Sequence, residues 1–253
     1  MTKLPLTVII LTNRTDARLT KALKSVTWAE QIVVVDTTGH LTFTAEQRSL
    51  ITNLIVQPTP TDSFDFSKLR NNALHHAHHD WVFFLDSDEW FPSKWLPRLQ
   101  KYIETSSCYA ISIWRSDIFL GQEMKHGEVG KVRLVRFGKK QYLRFARPVH
   151  EIPFTDKFVC LSPIEIKHTS HTSVADFLRK VTWYAQREAK YRFETGQKYS
   201  LLQLIFYPPA KFGLNFFLKL GFLDGWRGFI YALVMSLHSL FVRIYLYELE
   251  HTQ

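Results

Sequence analysis

The sequence predicts an α/β domain built on a mostly parallel sheet with crossover helices, followed by a C-terminal tail of different material. Three observations carry this. Strand-like and helix-like segments alternate four times before Glu89, the rhythm of βαβ units. Acids or amides close three of those strands: Asn13, Asp36, and the pair Asp86 and Asp88. Beyond Tyr199 the chain turns apolar and aromatic, interrupted by Lys211, Lys219, Arg227 and Arg243.

Taken in order, residues 6–12 are a β-branched run punctuated by Asn13, Arg14 and Thr15. Residues 16–26 carry Leu19, Ala22, Leu23 and Val26 at helical spacing. Residues 32–36 form the second strand, 45–52 a short helix, and 53–57 a third strand stopped by Pro58 and Pro60. A helix over 67–79 leads into the fourth strand, where a continuous apolar run from Trp81 to Leu85 ends in Asp86-Ser-Asp-Glu89. Such a run reads as a strand buried on both faces. Residues 92–105 look helical, 109–114, 131–137 and 164–168 look like strands, and the glycine-punctuated stretch 121–130 is expected to be a loop over the site. A helix over 173–194 precedes the tail, whose short helices fall at 199–210, 212–218 and 228–242.

Composition narrows the function classes. A chain of 253 residues with 46% hydrophobic and 15% aromatic content has a full core, which excludes disorder. A net charge of +9 favours an anionic partner, but the aromatics gather in the apolar tail and not among the basic residues, which argues against nucleic acid. Cys108 and Cys160 suggest no disulfide framework and suit a reducing compartment. The N-terminus enters a strand with only Lys3 before it, unlike a signal peptide, and the longest uncharged run, 228–242, is short for a membrane span. Apolar helices flanked by basic and aromatic residues suit a bilayer interface; a helical cap on the core or an oligomer face is the competing reading.

Strand C-termini of a doubly wound sheet converge on one crevice. Two carboxylates at that rim suit Mg²⁺ or Mn²⁺ bridging a diphosphate, although Asp-Ser-Asp alone is equally a solvated turn. Asp36 either meets a ribose or base or simply starts a turn. There is no Gly-x-Gly-x-x-Gly and no Walker A lysine. His75 and His79 stand at metal-ligand helical spacing, but nothing supplies further ligands, so His75, His76, His78 and His79 read as an exposed helix face. Arg133, Arg136 and Arg147 serve either a phosphate or the surface, and His168 is either a ligand or a structural histidine.

The ordered set of strand-Asn13, strand-Asp36, Phe66-Ser-Lys-Leu-Arg-Asn-Asn-Ala73, Phe84-Leu-Asp-Ser-Asp-Glu89 and Val149-His-Glu151 resembles family 2 glycosyltransferases of the GT-A fold. Within them it resembles the bacterial lipopolysaccharide-core β-glucosyltransferase group, whose C-terminal signature is similar to Pro208-Pro-Ala-Lys-Phe212 and Lys219-Leu-Gly-Phe-Leu-Asp-Gly225. The resemblance spans nearly the whole chain. It implies a Rossmann-like nucleotide-binding sheet, with Thr12, Asn13 and Asp36 at the base and ribose and Arg70 and Asn71 against the nucleotide. Asp86 and Asp88 are implied at the metal and diphosphate, with Asp88 the stronger ligand; apart from the resemblance, His168 at its strand end is expected to complete the metal or phosphate site and Arg147 to meet phosphate or an anionic acceptor. Glu151 is the implied base, with His150 as base, ligand or orienter. Asp36 is followed by Thr-Thr-Gly instead of the family's serine-rich turn, which leaves base recognition open.

The expectation is therefore an inverting, Mg²⁺- or Mn²⁺-dependent hexosyltransferase at the cytoplasmic face, peripheral to the membrane. It would take a UDP-hexose, UDP-glucose first, to a lipopolysaccharide-core or other lipid-linked saccharide. A glycosyltransferase domain is expected over 1–195, with a nucleotide-sugar half (1–105) and an acceptor half (106–195), and a membrane-associating or capping region over 196–253. Oligomerisation is compatible with this reading. The competing functions are a metal-dependent phosphodiesterase and a non-catalytic membrane-associated binding module.

Overall fold

The computed structural model describes residues 3–59, 65–105, 107–130, 132–146, 152–154 and 157–251. In chain order the elements are β1 (Leu4–Thr12), α1 (Ala17–Ser25), β2 (Ala29–Asp36), α2 (Ala45–Leu50), β3 (Asn53–Val56), α3 (Phe66–Leu74), β4 (Trp81–Asp86) and β5 (Glu89–Trp90). After α4 (Leu96–Thr105) come β6 (Ala110–Phe119), β7 (Gln122–Glu123), β8 (Val132–Lys139), β9 (Arg144–Ala146), β10 (Ile152–Phe154) and β11 (Val159–His171). Three helices end the chain: α5 (Val174–Glu194), α6 (Leu201–Gly213) and α7 (Gly225–His251). Two compact units emerge, one of residues 1–115 and 132–168, the other of 116–131 and 169–253.

The first unit is the expected α/β sheet. Its strand order is β3-β2-β1-β4-β8-β6-β11-β5, with β1, β2, β3 and β4 parallel. β8 then runs antiparallel to both β4 and β6. Alternation along β1 explains why its residues are apolar throughout. Val8 and Ile10 join the core layer that holds Leu19 and Leu23 of α1, while Ile9 and Leu11 join the layer that holds Leu69 and Leu74 of α3. Helix starts are fixed by side chains on orphan N–H groups: Asp16 receives Arg18 N, Asp65 receives Lys68 N, and Thr44 forms a reciprocal capping box with Gln47.

Two expectations change in this unit. α3 stops at Leu74, because buried Gln31 accepts from the His78 N–H and donates to the His76 carbonyl, drawing the chain out of the helix. His75 and His79 are therefore not a helical i, i+4 pair. Cys108 and Cys160, expected to be unpaired, form a disulfide with Cα atoms 5.6 Å apart, because the starts of β6 and β11 come side by side. The cysteine count thus gives no argument for a reducing compartment.

The second unit packs α5, α6 and α7 with the segment 116–131. Phe177 and Val181 of α5 meet Tyr231 and Val234 of α7 in one apolar cluster that also holds Met124 and Val129. The tail is less fragmented than its residues suggest: α7 is continuous for 27 residues, and Gly221–His251 is long and apolar enough to cross a membrane by length and composition. The segment 219–225 has a definite task. Asp224 is buried, and its carboxylate accepts from the backbone N–H groups of Lys125 and His126 and contacts the His126 ring at 3.0 Å. Glu128 is held by Lys211 at 2.8 Å and Asn215 at 3.0 Å. A Cβ on Gly228 would lie 1.9 Å from the Gly221 carbonyl oxygen, so only glycine lets α7 start there.

Candidate active site

Three parallel strand ends stand side by side. Thr12 lies in register with Asp36, and Leu11 in register with Asp86. Neighbouring strands are about 4.8 Å apart, so Asp36, Thr12 and Asp86 share one rim of the sheet.

At the first two ends the polar groups build the rim itself. The Thr12 carbonyl accepts from the Thr37 N–H at 3.0 Å and the Thr37 hydroxyl at 3.1 Å, and the Thr12 hydroxyl donates to the Arg14 carbonyl at 2.6 Å. Asn13 is exposed and its amide oxygen accepts from Arg14 Nε at 3.2 Å. Asp36 Oδ1 accepts from the Thr38 N–H, the Thr38 hydroxyl and the Gly39 N–H, and Oδ2 from the Leu41 N–H. Burial works against its charge, but these bonds win and hold the carboxyl below its ordinary range. The side chain first shapes the turn 37–41; Oδ2, with a single donor, keeps capacity for a ligand.

Asp86 sits in a clamp of two guanidiniums. Arg70 Nη2 donates to Oδ1 at 2.7 Å and Arg136 Nη2 to Oδ2 at 2.7 Å. The same Arg136 nitrogen lies 2.6 Å from Glu89 Oε1, and Glu89 Oε2 accepts from the Asp86 N–H at 3.0 Å. Glu89 is fully buried. Burial opposes charge on both acids with different outcomes. Arg136 and Arg70 hold Asp86 far below the usual carboxylate range, whereas burial and the Asp86 charge push Glu89 above it. Arg70 is fixed by α3 and flanked by the rings of Phe84 and Phe145, 5.5 Å from each centroid.

Arg136 owes its direction to a β-bulge. Along the β6–β8 ladder Ile111 faces Phe137 and Ser112 faces Val135, so Arg136 is the extra residue. A bulge residue escapes the in-out alternation of its strand, which re-aims the guanidinium toward Asp86 and Glu89. Arg133, by contrast, stacks 4.1 Å from the Trp114 ring centroid and donates to the Ser112 carbonyl.

Asp88 and His168 meet on the other side of this turn. β5 pairs with β11 so that Glu89 faces His168, and His168 Nε2 comes within 3.4 Å of Asp88 Oδ1. A carboxylate oxygen beside an imidazole nitrogen is a donor pair that fits Mn²⁺, or Mg²⁺ through the carboxylate alone, with the remaining positions left to phosphate and water. Among the described residues no group of three His, Cys, Asp or Glu could hold a metal unaided.

Asn71 binds the fold as a bidentate bridge: Nδ2 donates to the Phe145 carbonyl at 2.9 Å and Oδ1 accepts from the Phe145 N–H at 3.0 Å, pinning β9 to α3. Arg147, His150 and Glu151, the expected substrate and base residues, lie outside the described residues. Sequence reasoning missed the roles of Glu89 and Arg136. The available signal was an acid directly after Asp88 that enters a strand, opposite an arginine in a strand of imperfect alternation.

The family model described as "Glycosyl transferase family 2" matches residues 7–160. An uncharacterized glycosyltransferase of Rickettsia felis is 22% identical over 254 residues, covering 91% of this chain and 85% of its own length. Another, from Rickettsia typhi, is 23% identical over 255 residues, covering 91% and 82%. Among solved structures, the mannosyltransferase PcManGT from Pyrobaculum calidifontis, in complex with GDP-Man and Mn²⁺, aligns with a TM-score of 0.51 at 14% identity, covering 97% of this chain and 87% of that one. That likeness is one of fold, the GT-A architecture.

Proposed function

The chain belongs to glycosyl transferase family 2, and on that premise we propose that it moves a hexose from a nucleoside-diphosphate sugar, UDP-glucose first, onto a lipopolysaccharide-core or other lipid-linked saccharide with inversion. The observation that carries the donor half of this reading is the meeting of Asp88 and His168 at 3.4 Å beside the Arg-clamped Asp86.

In this reading the crevice at Thr12, Asn13 and Asp36 receives the nucleoside, and Asp88 with His168 would hold Mg²⁺ or Mn²⁺ beside Asp86, the third residue of the proposed metal and diphosphate site. The metal supplies positive charge for the diphosphate leaving group. Arg70 and Arg136 keep Asp86 ionised and immobile, so the rim keeps one shape as charge shifts toward the diphosphate. Asn71 fixes β9, whose chain leads directly to Arg147, His150 and Glu151. Glu151 is the proposed base for the acceptor hydroxyl, with His150 as its orienter or substitute and Arg147 at the substrate.

The tail supports the other half. Residues 1–195 form the proposed catalytic region and 196–253 the membrane-associating one, peripheral to the cytoplasmic face, where a lipid-linked acceptor is found. The phosphodiesterase alternative needs a denser metal cluster than the described residues offer.

The test is titration calorimetry of the full chain against UDP-glucose, other UDP-hexoses and GDP-mannose, with and without Mn²⁺. Metal-dependent binding of a UDP-hexose is expected. Binding of none of the UDP-sugars with metal present rejects the donor reading, and binding of GDP-mannose alone redirects it.

A further inference from the structure

The second unit exposes a surface that the transfer chemistry does not use. α6 and α7 form an antiparallel hairpin: Tyr199 meets Tyr247, the Arg243 guanidinium lies over Tyr207, the Ser236 hydroxyl donates to the Pro208 carbonyl, and Phe212 meets Phe229. On its outer side α6 exposes Leu202, Ile205 and Phe206. The hairpin tip exposes Phe217, Leu218 at 78% and Leu223, and α7 continues the strip with Trp226, Phe229 and Leu233. A contiguous strip of large apolar side chains of this kind calls for a cover.

Two observations identify that cover as an anionic bilayer surface met side-on. The first is charge. Lys198 and Lys219 are exposed at the two ends of α6 and its turn, with no ion-pair partner among the described residues. Between them Arg243 is buried at 6% exposure. Its Nη1 donates to the Ser239 carbonyl and hydroxyl, its Nε has no acceptor among the described residues, and its guanidinium lies 4.2 Å from the centroid of Tyr207, which is 48% exposed. Its charged neighbour Arg192 is of like sign and is engaged with Glu188. A buried guanidinium without a counter-ion is costly, and a lipid phosphate supplies one. A second copy of the same face would instead bring like charges together.

The second observation sets the orientation. α7 buries Tyr231, Val234 and Val242 on its inner side, where the first two pack on Phe177 and Val181 of α5. α5 exposes Arg179 and Lys190. If α7 crossed the hydrocarbon, α5 would carry these charges in with it, at a prohibitive cost. Lying in the interface wets α5 and immerses only the outer strip.

We propose that the α6–α7 hairpin lies in the plane of one leaflet, with Phe206, Leu218 and Trp226 among the immersed side chains, and that Arg243 beside Tyr207 receives the phosphate of an anionic phospholipid. The proposal rests on the membrane reading above and adds the mode of insertion and the headgroup contact.

The test is flotation of the full chain with phosphatidylcholine vesicles and with vesicles containing phosphatidylglycerol. Wild type is expected to bind both and to prefer phosphatidylglycerol. A Phe206→Asp, Leu218→Asp double variant is expected to lose about tenfold on both vesicles with nucleotide-sugar binding unchanged. Arg243→Gln is expected to keep binding to phosphatidylcholine and lose the anionic preference by about fivefold. Lys198 and Lys219 also favour an anionic surface, so Arg243→Lys, which keeps the charge at the buried position, is the folding control and is expected to retain the preference. Alkaline carbonate should release the protein. Failure of wild type to float with either vesicle overturns the membrane reading itself. Flotation unaltered in the double variant overturns only the hairpin face. Absence of the wild-type preference, or its survival in Arg243→Gln, overturns the phosphate contact, and carbonate resistance overturns the in-plane orientation. A dimer by light scattering that dissociates in the double variant and does not bind vesicles assigns the face to a second copy and overturns the proposal.

Discussion

Arg136 Nη2 stands 2.7 Å from Asp86 Oδ2, although the two residues belong to antiparallel neighbouring strands fifty positions apart in the chain. The same nitrogen reaches Glu89 at 2.6 Å, so one guanidinium joins the half-buried Asp86 and the fully buried Glu89 of the Asp-Ser-Asp-Glu turn. Removing it alone leaves two acids with reduced compensation. Arg136→Met is expected to cost about 3–5 kcal/mol in urea unfolding and to abolish sugar transfer. Adding Glu89→Gln should recover part of the stability and none of the activity. With Glu89→Gln measured alone to close the cycle, a double-variant loss equal to the sum of the two single losses would show that the two residues are not coupled.

Asp88 and His168 are expected to behave as a functional pair with little structural weight. Asp88→Asn and His168→Ala should each reduce Mn²⁺-dependent UDP-hexose binding by about tenfold to a hundredfold. Their unfolding midpoints should stay close to wild type. Calorimetry with and without Mn²⁺ separates a metal effect from a fold effect, because loss of binding under both conditions points to the fold.

Asp36 makes a pH-dependent prediction. Its carboxyl is held below the ordinary value of 3.8 in the folded chain. Its contribution to stability is therefore fully present above about pH 4 and is lost as the pH falls through the lower folded value. Asp36→Asn, which weakens the four bonds to the turn 37–41, should cost about 1–3 kcal/mol at neutral pH. That difference should shrink progressively below pH 4 in denaturant titrations. A constant difference at all pH values would contradict an ionised Asp36 as the source.

Gly228→Ala is expected to destabilise the second unit by about 3 kcal/mol, since the new Cβ would lie 1.9 Å from the Gly221 carbonyl oxygen and backbone cannot yield cheaply there. Gly196→Ala is a poor control because its φ is +80°. Gly213→Ala, with nothing near its Cβ position, should be neutral or slightly stabilising. Thermal melts of the two variants side by side test the contrast.

Removal of residues 199–253 is expected to yield insoluble protein instead of a free catalytic region. Phe177 and Val181 of α5 lose their cover from Tyr231 and Val234, and Lys125 and His126 lose the Asp224 carboxylate. A soluble, cooperatively folding truncation would show instead that α5 needs no tail.

The parallel half of the sheet is legible in the residues alone. Strand-length β-branched runs separated by amphipathic helices have one economical packing, and polar residues at the ends of Leu4–Thr12, Ala29–Asp36 and Trp81–Asp86 fall on its open rim. The sequence also marked Arg70, Asp86, Asp88 and His168, because each sits at or beside a local element whose direction the periodicity fixes. The tertiary structure alone decided how these side chains are spent. Asn71 turned to the Phe145 backbone, the cysteines met across two strands far apart in the chain, and the tail segments joined as one hairpin because α7 runs unbroken over the gaps that Arg227 and Arg243 suggest. Arg136 is the clearest instance. Alternation assigns a strand residue to one face or the other, but a bulge adds a residue that follows neither, and a bulge arises from pairing with a distant strand. Its contact with Asp86 is therefore written in the ladder between β6 and β8 and not in the local pattern of either.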